Sequence, residues 1–292
     1  MPEKRKQVRS SRGTAPPPKV ALCAGLKSSG STWLYNAVIQ ILEDGHMPSK
    51  RPSRKEGYEG AILPFYADQL GSFPLGVEHA SYLIIKTHIP AASLQFVARF
   101  VGARVFVTIR EPRDAIASLL QRFDHSFRGS LKEVSASAAK IVELVRTSNP
   151  LILRYEDRFF DNRRTVHDIG TFLERRVSQS RIDAIYRHLS RAKVNETIEH
   201  LSGAGVFGDA PNPDSFDPKT HWHPGHVGDG LIGKFRTVLT ESQQKEVLAA
   251  TKDYCTMFGY DQRMGSRRKS ITNQVGPRKP SMKNKKRRLP PP

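Results

Sequence analysis

The chain is poor in cysteine and tryptophan, and it has no long apolar run. Its two cysteines among 292 residues, Cys23 and Cys255, exclude a disulfide framework and a four-cysteine metal site. They fit a reducing compartment, so the cytoplasm is the expected location. No stretch approaches the ~20 consecutive apolar residues that a membrane helix needs. The first thirty residues are basic and proline-bearing, with no hydrophobic signal core, and the expectation is a protein neither exported nor membrane-spanning. Acid is scarce at both ends: residues 1–18 carry one acid against five Lys/Arg, and residues 264–292 carry none against ten. Most of the formal +19 therefore sits in the ends, and the middle is only as basic as an enzyme that handles an anionic ligand. Both ends are rich in Pro, Ser, Gly and Asn, with little apolar surface to offset their ordering entropy. The reading is a disordered basic tail at 1–18, one domain at 19–263, and a disordered basic, proline-rich tail at 264–292. The KNKKRR run from Lys283 to Arg288 offers contact with anionic surfaces, nucleic acid or lipid, but it reads first as a solvated tail.

At 38% hydrophobic residues the chain is long and apolar enough for a proper core, which falls to its middle. Short β-branched runs alternate there with longer amphipathic segments, the pattern of an α/β fold. Strands are predicted at Val20–Cys23, Tyr82–Lys86, Arg104–Ile109 and Leu151–Tyr155. Helices are predicted at Thr32–Glu43, Pro112–Phe123, Leu131–Arg146, Arg164–Leu173 and Glu241–Tyr254; the first gathers Trp33, Leu34, Ala37, Val38, Ile41 and Leu42 on one face. The fold class is a P-loop-like three-layer α/β fold, a central and mostly parallel sheet flanked by helices. Gly203–Gly230 is crowded with Gly, Pro, Asp and His, has no period, and reads as a long functional loop.

Three segments carry chemistry. GLKSSGSTW, Gly25–Trp33, lies between a predicted strand and a predicted helix, where backbone N–H groups and a helix N-terminus hold an anion. It lacks the lysine directly before the hydroxyl residues that a nucleotide-triphosphatase loop requires. VFVTIREPRDAIAS, Val105–Ser118, aims Arg110 off a strand end and sets Ser118 two turns into a helix. A guanidinium fork beside a hydroxyl suits a phosphate monoester. IIKTHIP, Ile84–Pro90, ends a strand with Lys86 and His88 on one side, and histidine is the side chain that takes a proton near neutrality without special tuning.

Taken together and in this order, these segments resemble the cytosolic-type family of sulfotransferases that use 3'-phosphoadenosine 5'-phosphosulfate, with adenosine 3',5'-bisphosphate as the product. The resemblance implies that Ser29, Gly30, Ser31 and Thr32 bind the 5'-phosphate and that Trp33 packs on adenine. Lys27 would meet the bridging oxygen, although Ser28 holds the family's lysine position and Lys27 falls one residue earlier. Arg110 and Ser118 would hold the 3'-phosphate, and Tyr155, in LILRYEDRF, would lie against adenine. GDGLIGKFRTVLT, Gly228–Thr240, resembles a late family motif through Gly230, Gly233 and Phe235. Its basic pair is replaced by Gly228–Asp229, with His226 or Arg236 the expected substitute. His88 would be the general base and Lys86 a charge stabiliser. No metal is implied.

The acceptor is expected to bear a hydroxyl, or an amine, on a small molecule, glycan or lipid head group. Its walls are expected in Arg51–Gly71 and His200–Gly230. A homodimer is the base-rate expectation. Three rival readings stand beside this one. The HWHPGH string, His221, His223 and His226, has the spacing of a zinc hydrolase but lacks the acid before its last histidine. A phosphate-loop kinase needs a lysine and an acidic metal anchor that are both missing. A nucleic-acid binder would depend on the tails.

Overall fold

The computed structural model of the chain describes residues 19–43, 49–51, 62, 82–123, 125–208 and 215–261. The two tails and most of Arg51–Gly71 lie outside the described residues.

Five strands form one sheet in the order β2-β3-β1-β4-β5, with β1 Lys19–Gly25, β2 Ser49–Lys50, β3 Tyr82–Thr87, β4 Arg104–Ile109 and β5 Leu151–Arg154. Every pairing is parallel. The chain leaves central β1 toward one edge and later crosses it to build β4 and β5. This places a topological switch point, where open α/β sheets bind ligands, at the carboxyl end of β1.

Period-two alternation divides the core into two layers. Val20, Leu22 and Ala24 join Leu83, Ile85, Val105 and Val107 on one face. This face is covered by α3 Pro112–Phe123 and α4 Phe127–Thr147, and by the C-terminal helices α9 Glu241–Ala250 and α10 Lys252–Phe258. Ala21, Cys23, Tyr82, Ile84 and Phe106 face the other way. They lie under α1 Ser31–Glu43, α5 Arg163–Phe172, α6 Gln179–His188 and α7 Arg191–Gly203. Two further helices, α2 Ala92–Phe100 and the single turn α8 Phe235–Val238, complete the described set.

Local chemistry sets the helix starts. Pro112 opens α3, where its missing N–H costs nothing. Ser126, Ser178 and Ser190 cap α4, α6 and α7 by accepting from Gly129 N, Arg181 N and Lys193 N. Thr240 and Gln243 form a capping box on α9. Each such cap contributes about 1 kcal/mol.

The helix predicted over Glu241–Tyr254 is two helices, because Thr251 leaves helical geometry at φ −119° and caps α10. The fourth predicted strand stops at Arg154, and Tyr155 begins a 3₁₀ turn. Among the described residues of Gly203–Gly230 no helix or strand follows the end of α7, as expected of a loop. No helix among the described residues is long and apolar enough to cross a membrane.

Candidate active site

The Gly25–Thr32 loop is folded against β4. Gly25 pairs in register with Thr108, and Leu26 N donates to Thr108 O at 3.1 Å. A Cβ on Gly25 would stand 2.1 Å from Thr108 Oγ1, so only glycine permits this approach. Ser29 is fully buried. Its amide donates to Leu26 O at 3.1 Å, and its hydroxyl sits 2.6 Å from Thr108 Oγ1. Ser29 therefore fastens the loop to the sheet and is not among the cavity-lining residues, unlike Lys27, Ser28, Gly30, Ser31, Thr32 and Trp33. The first bond of α1 runs from Leu34 N to Gly30 O, so the amides before Leu34 stand free of the helical ladder and face the loop.

Trp33 donates its indole N–H to Leu189 O at 3.1 Å and meets Phe159 edge-on, with ring centroids 5.6 Å apart. Ser28 adopts a left-handed conformation, φ 59°. Lys27 turns away from its neighbours in the loop and pairs with Glu133 on α4.

Arg110 lies at the end of β4, 2% exposed. Tyr254 OH holds its backbone from both sides, accepting from Arg110 N and donating to Arg110 O, each at 3.1 Å. The guanidinium donates from Nη1 to Ser28 O at 2.8 Å and from Nη2 to Leu231 O at 3.1 Å. It lies 4.0 Å over the Tyr155 ring. Its buried Nε has no hydrogen-bond partner among the described residues. Ser118 is buried one helix away, and Arg122, one turn on, points Nη1 at Ser118 Oγ, 3.4 Å off. Glu111, next in the chain, takes a bidentate pair from Arg113 at 2.8 and 3.0 Å. Asp114 accepts from Gly233 N and Phe235 N at 2.6 and 3.0 Å, tying the late segment to α3.

His88 stands just past β3. Its Nδ1 lies 2.8 Å from Gly25 O; a carbonyl only accepts, so Nδ1 carries the proton and the neutral ring keeps its lone pair on Nε2. That nitrogen faces Lys86 Nζ at 3.5 Å. Burial first, and then the Lys86 charge, hold the His88 pKa down to about 3. Burial, with the Lys27 charge adding, brings Lys86 down to about 8.

His221, His223 and His226 line the same cavity. His221 sits against Tyr35 and Phe216, while the His223 and His226 rings meet at 4.2 Å. Burial lowers the pKa of all three, His221 to about 4, so they are neutral near pH 7. Among the described residues no group of three or more His, Cys, Asp or Glu side chains is placed to hold a metal ion.

Lys27, Ser28, Gly30–Trp33, Lys86, His88, Arg110, Ser118, Tyr155 and Gly230 thus share one cavity of about 1280 Å³ with the three histidines. Arg236 is not among its lining residues; it packs over Phe235, away from the role expected of it. The sequence reading missed Arg122, Glu133 and Arg191, which do line the cavity.

A family model for the sulfotransferase domain matches residues 18–197, more than half of the chain. The chain belongs to the sulfotransferase family. Solved structures agree on its fold. A mouse sulfotransferase complexed with PAP superposes at TM-score 0.57 with 14% identity, covering 83% of this chain and 86% of that one. A retinol dehydratase in complex with androsterone and the inactive cofactor PAP gives TM-score 0.51 and 17% identity, over 86% of this chain and 84% of the other. A second retinol dehydratase structure, with retinol and PAP, gives 0.51 and 18%, over 83% and 82%. The family match covers the cavity-lining residues up to 197, and the late loop lies beyond it.

Proposed function

We propose that this sulfotransferase moves a sulfuryl group from 3'-phosphoadenosine 5'-phosphosulfate to a hydroxyl of a small-molecule acceptor, with His88 as general base. The tautomer of His88 carries the reading: fixed by Gly25 O, the cavity-lining ring has its lone pair on Nε2, which accepts from Lys86 Nζ at 3.5 Å. Nε2 is free to take the acceptor's proton once Lys86 turns to the donor's anion.

The residues present fit the donor. Ser31, Thr32 and the amides opening α1 suit the 5'-phosphate, Arg110 and Ser118 suit the 3'-phosphate, and Tyr155 and Trp33 suit adenine. The unpartnered Nε of Arg110 is a buried donor in want of an acceptor. Ligand pockets typically span ~300–1,000 Å³, so a cavity of about 1280 Å³ has room for an acceptor beside a nucleotide. When bound, the donor supplies a sulfuryl group on a phosphate leaving group.

His88 takes the acceptor proton at Nε2, while Lys86 and Lys27 bring positive charge to the same region. An anion near the two ammonium groups cancels charge that, after burial, holds the imidazole down, and so moves His88 toward a working base. Lys27 pairs with Glu133, so a phosphate in the loop competes with that carboxylate. The histidines with Phe123 and Phe216 form the acceptor side. The retinol dehydratase structures hold retinol or androsterone, which supports a small-molecule acceptor. Cys23 and Cys255 are both buried free thiols, which fits the reducing compartment expected for it.

The test is transfer of labelled sulfuryl from the donor to a panel of phenols, alcohols and glycans by the full chain. Label transfer that disappears in His88→Ala while adenosine 3',5'-bisphosphate still binds is the expected result. Equal loss of turnover and of binding would remove His88 from the role of base.

A further inference from the structure

The late loop of this protein has Gly228 and Asp229 where the motif it resembles has a basic pair, and the nearby Lys234 is paired with Asp229. Around that gap the fold places two arginines from outside the loop. A Cβ on Gly228 would stand 3.2 Å from Arg122 Cδ, and one on Gly230 would stand 3.9 Å from Arg191 Nη1. Gly228 makes room for the Arg122 side chain from α3, and Arg191 from α7 stands in ordinary contact distance of Gly230.

We infer that Arg122 is the third limb of the site for the 3'-phosphate monoester, taking over from α3 the charge of that basic pair. The inference rests on the sulfotransferase reading above. Arg122 is one turn beyond Ser118 and reaches back to its hydroxyl at 3.4 Å. It is half-buried and lines the cavity together with Arg110, Ser118 and Gly228. Its Nε and Nη2 donate to Gly225 O at 3.1 Å and His226 O at 2.8 Å. Those two bonds use the Nε–Nη2 edge and fix the guanidinium plane, leaving Nη1 directed at Ser118.

Burial, with the charge of Arg110 adding, lowers the Arg122 pKa to about 10. Two neighbouring guanidiniums, one with an unpartnered buried Nε, make a pair that a dianionic monoester stabilises better than a single negative charge does. The loop's own acid, Asp229, lines the same cavity and interacts with both arginines, while its carboxylate accepts from Lys234 Nζ at 3.1 Å and from Leu231 N at 3.0 Å.

The experiment is a calorimetric comparison of adenosine 3',5'-bisphosphate with adenosine 5'-monophosphate, the ratio of their dissociation constants isolating the 3'-phosphate. It uses the wild type, Arg122→Ala, Arg122→Lys, and the double variant Arg122→Ala with Gly228→Arg. Arg122→Ala should cut the ratio by roughly tenfold or more, the worth of a charge-assisted hydrogen bond. Arg122→Lys should recover part of the loss, and an arginine supplied at position 228 should recover more.

A purely structural arginine, needed only to hold Gly225 and His226, would weaken both nucleotides together and leave the ratio unchanged, and that result overturns the inference. Thermal unfolding of each variant reports whether it is folded; should Arg122→Ala not fold, the Arg122→Lys ratio decides. A wild type that does not prefer the bisphosphate at all would instead sink the sulfotransferase reading on which the inference stands.

Discussion

Two halves of the cavity are built by different means. The strand-end half, comprising the Gly25–Thr32 loop, Lys86 to His88 and Arg110, hangs from the sheet. Leu26 N bonds to Thr108 O, His88 Nδ1 to Gly25 O, and Arg110 lies between the two oxygen contacts of Tyr254. The late half, from Ser215 to Lys234, has no sheet to hang from. It is held by side chains that reach its backbone: Arg122 to Gly225 and His226, Arg191 to Asp229 O, and Asp114 to Gly233 and Phe235. The difference teaches where chemistry and adjustment reside. On the proposed reading, the groups assigned to catalysis sit on strand ends, and the surface assigned to the acceptor sits on a loop pinned at a few points.

The sharpest break in this comparison is at His88. His88→Ala should lower kcat by about 10²–10⁴, the usual worth of a general base, with the dissociation constant of the bisphosphate close to wild type; steady-state kinetics and calorimetry on one preparation read both. Arg110 joins the halves through Ser28 O and Leu231 O. Arg110→Ala should therefore weaken the bisphosphate by roughly ten- to a hundredfold, as expected when charge-assisted bonds of about 1.5–3 kcal/mol are lost.

Asp114→Ala removes two acceptors from the late half and none from the phosphate loop. It should cost about 1–3 kcal/mol of stability, seen as a lower urea midpoint, with the strand-end half unaffected in its bonding. The pH profile separates the halves more gently. Lys86 has its pKa lowered to about 8, so it is charged below that pH and loses its proton above it. The kcat/KM should fall, approaching tenfold per unit, as pH rises beyond about 8, and Lys86→Arg should move that limb upward. His88, down at about 3, stays neutral through pH 5–7 in the free enzyme, so no acidic limb should appear near 6.5. The smallest effect belongs to the late half alone: Phe216→Ala should raise the acceptor KM a few-fold and leave the bisphosphate dissociation constant unchanged.

The strand-end half was the legible one. Four of the five strands follow from β-branched runs between turn residues, and GLKSSGSTW, KTH and REPRD lie where contiguous sequence places them. Strand β2 has only two residues and no pattern to detect. Helices α2, α6 and α7 are absent from the sequence expectation, although Ser178 and Ser190 mark the starts of the last two; the mean apolarity of those two segments is low and their burial rests on Ile182, Ile185 and Val194.

Within the site, the contiguous motif gives no sign that the Ser29 hydroxyl is drawn inward by Thr108, 79 residues away. It was silent on Arg122 and Glu133 for the same reason. Their partners, the 225–226 carbonyls and Lys27, are each about a hundred residues distant, and only the packing of α3 and α4 against the cavity brings them together. Helical spacing held one usable clue: Arg122 is four residues after Ser118, on the same face.

The most direct test of the account is titration of the purified full chain with adenosine 3',5'-bisphosphate, with adenosine 5'-monophosphate and ATP as controls. Binding that depends on the 3'-phosphate and falls in Arg110→Ala is the predicted result. Indifference to the 3'-phosphate, or no binding by protein shown to be folded, would contradict it.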